Sequence, residues 1–256
     1  MRGPVVLLTD FGDQDPFAGI MRGVLAARAP RARVLDLAHG LPPGDIKAAA
    51  LALRQAVPYF PDGSIFVCVV DPGVGSSRRL VWARSPCAQF LAPDNGVLSW
   101  LADDERPVQW RSVTNEKIFL RPVSGTFHGR DKFAPAAAAL ARGLSPSRLG
   151  PEIRDPVTLP WPEPETVKDG LRGQILDFDR FGNALTNIPA DAARGARAVF
   201  RARDLGPVRD HFAQVPAGRA LAVAGSAGLV ELAVRDGDFR ARLRAKRGDP
   251  VHARRP

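Results

Sequence analysis

Asp71 and Arg78 stand seven residues apart around Pro72-Gly73-Val74-Gly75, a turn with few enough side chains to fold the chain back on itself. A guanidinium brought onto a carboxylate in this way keeps the acid ionised, and the acid fixes the guanidinium plane. A structural salt bridge would use the same two residues. His128 favours the chemical use, because it stands in Gly125-Thr126-Phe127-His128-Gly129-Arg130-Asp131, a polar turn where a core-filling histidine is out of place. Acid, cation and imidazole together are the groups that ready a water molecule for attack. Within that turn Arg130 and Asp131 are expected to pair with each other.

Asp10 and Asp94 share another logic, each following an apolar run and standing beside glycine in Thr9-Asp10-Phe11-Gly12 and Pro93-Asp94-Asn95-Gly96. An ionised acid there suits ribose, since it accepts hydrogen bonds from two vicinal hydroxyls, and it equally suits a helix N-cap. Asp94 has a candidate helix behind it, Gly96 to Leu101. Further along, Asp179-Arg180-Phe181-Gly182-Asn183 combines an aromatic ring with an amide that donates and accepts at once. Asn183 matches the edge of adenine and Phe181 can pack on a ring, whereas an Asn/Gly hairpin with a core phenylalanine is the structural alternative. Ala224-Gly225-Ser226-Ala227-Gly228-Leu229 has the composition of a phosphate-cradling loop without the lysine or glycine spacing of a P-loop. Of the remaining histidines, His39 is a loop residue or a rim contact, and His211 and His252 read as exposed.

These residues need a frame that carries them to one rim. Val5 to Leu8, Val34 to Leu37 and Ile65 to Val70 read as strands, the last apolar throughout as befits a central parallel strand. Phe17 to Arg28 reads as a helix with Ile20, Val24 and Leu25 inward, Asp45 to Val57 as a helix with Ile46, Ala49, Ala50, Leu53 and Val57 inward, and Phe133 to Arg142 as a third. Leu80 to Ala83 and Gln89 to Leu91 form a short antiparallel pair. This alternation predicts an N-terminal Rossmann-like α/β domain over residues 1–149. Prolines 146, 151, 156, 160, 162 and 164 then interrupt any regular element, giving a proline-rich linker over 150–167. Beyond it, Gly173 to Asp179, Ala198 to Phe200, Ala220 to Ala224, Leu229 to Val234 and Phe239 to Leu243 read as short strands of a small antiparallel β-barrel over 168–256.

Composition narrows the class. With 256 residues, 45% hydrophobic and 25% charged, the chain can bury a full core, and no apolar run approaches the 18 or more residues of a membrane span. Met1-Arg2-Gly3-Pro4 passes into a strand without the pattern of a signal peptide, so a cytoplasmic location is expected. Cys68 and Cys87 lack metal, redox or disulfide spacing and are structural thiols. The net charge of +9 comes from scattered arginines in an alanine-, glycine- and proline-rich composition, and no nucleic-acid partner is expected. The cluster Arg240 to Arg255 reads as a solvated strand face and frayed end. Neither a GxGxxG turn after the first strand, nor zinc-ligand spacing, nor a GxSxG elbow occurs.

In chain order, the turns at Asp10, Asp71, Asp94 and His128, then Phe181-Gly182-Asn183 and Ser226-Ala227-Gly228-Leu229, resemble the S-adenosyl-L-methionine (SAM) hydroxide adenosyltransferases, or SAM hydrolases, relatives of fluorinating and chlorinating enzymes. The resemblance runs nearly end to end. It implies a Rossmann-like domain joined to an antiparallel barrel, and a homotrimer whose sites lie at subunit interfaces. It also implies that Asp71, Arg78 and His128 activate water, Asp10 binds ribose, Asn183 reads adenine, and Asp179 and Ser226 hold the methionine amino-acid group. Asp94 and Phe181 join the substrate-binding set. The implied reaction is attack of water or hydroxide on the 5′ carbon of SAM, releasing adenosine and L-methionine, with no cofactor and no metal. Halide transfer to the same carbon and non-catalytic binding of SAM or adenosine are the alternatives; the acid at Asp71, replaced in the halogenating branch, favours water. Two positions depart from the family pattern: Val234 to Phe239 replaces an Asn-Gly-Gly-Asn-Ala-like run, and Ala227 replaces an arginine of the fluorinating branch.

Overall fold

In the computed structural model, which describes residues 3–101 and 107–255, the chain divides into two units, Met1–Pro160 and Trp161–Pro256. Met1 and Arg2 of the opening segment lie outside the described residues. The first unit is built on β1 (Val5–Thr9), α1 (Phe17–Arg28), β2 (Val34–Ala38), α2 (Ile46–Ala56), β3 (Ser64–Val69), β4 (Leu80–Arg84), β5 (Ala88–Pro93), β6 (Gln109–Ser112) and α3 (Ala134–Ala141). Its six strands run in the order β2-β1-β3-β5-β4-β6. The first four are mutually parallel and β4 is antiparallel to both neighbours. Every residue of β1 and β3 is buried, which is why both read as uninterrupted apolar runs.

Helix α1 buries Leu25 and packs Val24 against the core as expected, and departs from the expected face at Ile20. Ala18, Met21 and Leu25 are buried, at spacings that share one stripe, whereas Ile20 is exposed. Helix α2 buries Ala49, Ala50 and Leu53 as expected and is capped by Asp45, whose Oδ1 accepts the Ala48 N–H at 2.9 Å. Helix α3 packs on α1 and β3, and its run of alanines, buried at 134 and 136–138, allows that close approach. A single π turn, Gly129–Phe133, leads into it. The expected helix after Asp94 is only a 3₁₀ turn at Ser99–Leu101.

The proline-rich stretch is tied in part to the first unit. Val157 donates its backbone N–H to Asp94 at 2.8 Å and Leu159 donates to Ser99 at 2.7 Å. The second unit comprises β7 (Glu165–Val167), β8 (Gly170–Phe178), β9 (Ala184–Pro189), β10 (Arg197–Phe200), β11 (Arg203–Arg209), β12 (Ala220–Ala224), β13 (Leu229–Val234), α4 (Phe239–Leu243) and β14 (Pro250–Arg254). Pairing of β14 with both β10 and β8 closes seven strands into a barrel, with β7 added along β8. One pairing, β11 with β12, is parallel rather than antiparallel. Phe239 to Leu243, expected as a strand, is helical because Asp238 caps it, its Oδ1 accepting the Ala241 N–H at 2.7 Å. No helix among the described residues is long and apolar enough to cross a membrane.

Candidate active site

Adjacent parallel strands bring the first two acids to one edge. In the β1–β3 register Thr9 lies beside Val69, so Asp10 and Asp71 leave the carboxyl ends of neighbouring strands, where open α/β sheets present ligand sites. Asp10 does not cap α1. Its Oδ2 accepts the backbone N–H of Gly44 at 2.7 Å, drawing in the loop after β2, and Gly44 adopts φ +70° to make that approach. The same loop is held by His39, which is buried, with Nδ1 2.8 Å from Thr9 Oγ1 and Nε2 3.1 Å from Asp36. His39 is therefore a loop fastener.

Asp71 and Arg78 close on each other as their spacing suggested. Arg78 Nε donates to Asp71 Oδ1 at 2.8 Å, and Nη2 donates to Oδ2, a two-point pairing that fixes the guanidinium plane. The turn between them lies against the His128 loop at Gly75, where φ is +82° and a Cβ would collide with the Gly125 carbonyl. That contact brings the third group in: Arg78 Nη2 lies 2.8 Å from His128 Nδ1. A guanidinium only donates, so Nδ1 must accept, and the proton of neutral His128 sits on Nε2. Burial above all, then the charges of Lys132 and Arg78, lowers the His128 pKa, keeping the ring in the neutral form this geometry needs. Arg78 Nη1 is buried with no partner among the described residues. A buried charged donor left unpaired is costly unless it is reserved for a ligand oxygen.

The cavity beside this cluster has a volume of about 370 Å3 and is lined by residues including Asp10, Phe11, Asp71, Thr126, Phe127 and His128. Its aromatic wall continues to Phe17, with Phe11, Phe17 and Phe127 meeting edge to face at centroid separations of 5.2 to 5.9 Å. Sequence reasoning missed these rings and Gly44, although an aromatic directly after Asp10 and directly before His128 was a usable signal. Arg130 and Asp131 pair side by side, Nε to Oδ1 at 2.6 Å. Burial opposes ionisation of Asp131, but Arg130 and the Ser124 N–H hold its pKa down overall. Below the pocket, burial pushes the Cys68 thiol up to about 12, so it stays inert. No three His, Cys, Asp or Glu side chains gather to hold a metal among the described residues.

Asp94 is placed elsewhere. It is buried, its Oδ2 accepts Arg79 Nε at 2.7 Å and its Oδ1 accepts the Val157 N–H, so its carboxylate joins the first unit's loops and caps no helix. Arg79 continues to Asp155 at 2.9 Å, making Asp94 the anchor of the proline-rich segment.

In the second unit the Asp179 turn is self-organised. Asp179 Oδ1 accepts the N–H groups of Phe181 and Asn183 at 2.9 and 2.8 Å, and Oδ2 accepts Asn183 Nδ2 at 2.9 Å. Gly182 holds φ +81° against Asp238, Asn183 is buried, and Phe181 is 76% exposed rather than in a core. Ser226 is exposed on the turn between β12 and β13. Sequence reasoning missed Glu231, which folds over Gly225 with its pKa raised by burial and then by the charge of Asp179. His252 is half-buried beside Asp169, not exposed.

Comparisons with known proteins agree with this architecture. The sequence profile of the SAM hydroxide adenosyltransferase N-terminal domain matches residues 5–150, and that of the C-terminal domain matches residues 173–252. An (R)-S-adenosyl-L-methionine hydrolase of Thermus thermophilus is 45% identical, covering 97% of this chain and 98% of that protein. A fluorinase of an Actinoplanes species is 26% identical over 72% of this chain and 71% of its own. The crystal structure of an uncharacterized conserved protein from Thermotoga maritima superposes with a TM-score of 0.90 at 33% identity, covering 96% of this chain and 98% of that one. With both halves of the chain matched in order, the protein belongs to the SAM hydroxide adenosyltransferase family.

Proposed function

We propose that this protein hydrolyses SAM to adenosine and L-methionine by attack of an oxygen nucleophile on the ribose 5′ carbon. The observation that carries the reading is the Asp71–Arg78–His128 cluster at the edge of the cavity. Arg78 Nη1 and the Nε2–H of neutral His128 are both donors, a pair that favours hydroxide over water. Water resists deprotonation, with a pKa of about 15.7, so electrostatic stabilisation of the anion is the main demand on the protein. The proton passes to solvent, hydroxide forms the new C–O bond, and the C–S bond breaks with its electrons returning to sulfur. A sulfonium leaves as a neutral thioether, so the reaction requires neither a metal nor a cofactor.

Asp10 binds the ribose hydroxyls at the same rim, and Phe11 and Phe127 shape the pocket wall. Asn183 and Phe181 receive adenine, and Asp179 and Ser226 hold the methionine end. The chain works as a homotrimer in which the second unit's set serves a neighbouring subunit's pocket; support comes from Phe181, whose ring is too exposed to serve its own fold. The relatives' name carries an (R) configuration at sulfur, and we assign the same epimer to this chain.

The test is incubation of the pure protein with each SAM epimer. Equal amounts of adenosine and methionine from the (R) epimer, abolished in His128→Ala, support the reading. No adenosine above that variant would sink it. Formation of 5′-chloro-5′-deoxyadenosine in chloride would point to the halide alternative, and tight binding with turnover insensitive to Asp71→Asn would point to a binding protein.

A further inference from the structure

Where β1 and β3 begin, at the edge of the sheet opposite the active site, the first unit holds a second cavity, of about 660 Å3. Three arginines line it: Arg31 and Arg33, from the loop between α1 and β2, and Arg142, at the end of α3. Ala29, Pro30 and Ala32 supply an apolar wall. The backbone that carries these cations is fixed. Helices α1 and α3 pack on each other, the Val5 N–H is donated to the Arg33 carbonyl at 2.8 Å and the Ala32 N–H to the Ala29 carbonyl at 2.9 Å, and Ala32 packs against the core. No aspartate or glutamate is among the described residues that line the cavity, and none of the three guanidinium groups has a hydrogen bond or ion pair among the described residues. Arg28, the last residue of α1, is spent differently, its Nη1 donating to the Ile118 carbonyl at 2.6 Å. Both helices end at the cavity, and the partial negative charge of their carboxyl ends explains how cations gather there without acids. That attraction leaves the forked N–H donors of all three arginines unused.

We propose that this cavity binds a small anion with a chain of two or more phosphate groups, free or carried on a nucleoside. Guanidinium forks match phosphate oxygens with paired hydrogen bonds, and three forks around one hollow supply more charge than a single phosphate balances. The volume exceeds what one phosphate fills and lies in the range of small-molecule sites, roughly 300–1,000 Å3. A compact anion fits cations confined to one cavity, whereas a nucleic-acid backbone calls for a basic stripe along a face. The site stands apart from the chemistry, since the length of β1, five residues or roughly 17 Å, separates it from Asp10. Its content is independent of the hydrolysis proposed above.

The experiment is calorimetric titration of the full chain at low salt, without divalent cations, with tripolyphosphate and with UTP, whose pyrimidine sets it apart from the adenine of the proposed substrate. Saturable binding at one site per chain is expected, weakened roughly tenfold in the double variant Arg33→Gln/Arg142→Gln and weakened also by added salt. Arg142→Gln alone, with a loss of about threefold, stands in if the double variant does not fold. The charge-matched control Arg203→Gln/Arg219→Gln removes two exposed arginines from the second unit and should leave affinity within about twofold. UTP binding tighter than tripolyphosphate would support the proposal with a nucleotide as the occupant; tripolyphosphate binding as tightly or more tightly would support it with a free phosphate chain. Absence of saturable binding of both, binding unmoved in a folded Arg33→Gln/Arg142→Gln protein, or an equal loss in the control overturns the proposal.

Discussion

The rim of the first unit and the Asp179 turn of the second hold polar side chains in opposite ways. At the rim, groups distant in sequence are bonded to one another: Arg78 reaches back seven residues to Asp71 and forward fifty to His128. At the turn, Asp179 binds the backbone and amide of residues only two and four positions on. The first arrangement places charges in a buried setting before substrate arrives and leaves a charged donor, Arg78 Nη1, without a partner among the described residues. Such preorganisation stabilises charge that develops during reaction. The second arrangement gives a local scaffold that holds the buried Asn183 amide on Asp179 and leaves the Phe181 ring exposed, which suits recognition. Changes at the rim should therefore act on kcat, and changes at the turn on KM.

Arg78→Lys is the strongest attempt to break this division. It keeps a cation but removes the two-point grip on Asp71 and the bond to His128, and kcat should fall by roughly 10³ with KM within about threefold. A fall in kcat below about tenfold in steady-state assays would mean the guanidinium geometry is not what matters. Asp94→Ala sharpens the division from another side. It should cost about 2 kcal/mol in denaturant unfolding by freeing Arg79 and the Val157 N–H, while leaving the KM of the surviving folded enzyme unchanged. Asn183→Ala should raise KM by roughly tenfold at nearly constant kcat, and a kcat loss instead would place that turn in the chemistry.

The smallest effect is in pH dependence. The lowered His128 pKa means the neutral ring, and with it the cluster, persists above the ordinary histidine value of about 6.5 and is lost as pH falls through the depressed one. Activity and the stability contributed by the cluster should both decline on that acid side, read from a kcat/KM profile and from unfolding at matched pH. An acid limb above about 6.5 would contradict the neutral-imidazole geometry.

What the sequence disclosed followed from local grammar. β1 and β3 were legible because strands buried on both faces have no polar residue to interrupt them. Asp71 with Arg78 was legible because glycines at 73 and 75 permit the tight turn that folds the chain back over seven residues. Where distant partners decide, the reading failed. Asp94 shares with Asp10 a preceding apolar run and a glycine two residues on, yet Arg79 and Val157 engage its carboxylate. On α1, Leu25 and Val24 were legible as inward, but Ile20 is apolar in any register, and only packing against α3 and the core selects Met21 in its place. Phe239 to Leu243 looked like a strand until Asp238 is recognised as a cap. Glu231 gave no signal, since its place over Gly225 depends on the β12–β13 turn.

The central claim is that the Asp71–Arg78–His128 cluster delivers a solvent oxygen to the 5′ carbon of the nucleoside. A single-turnover reaction in ¹⁸O-labelled water, followed by mass spectrometry of both products, tests it most directly. Adenosine should carry one labelled oxygen at its 5′ position and methionine none, with the labelled product suppressed in Arg78→Lys. Unlabelled adenosine, or label incorporated at the wild-type rate in that variant, would contradict it.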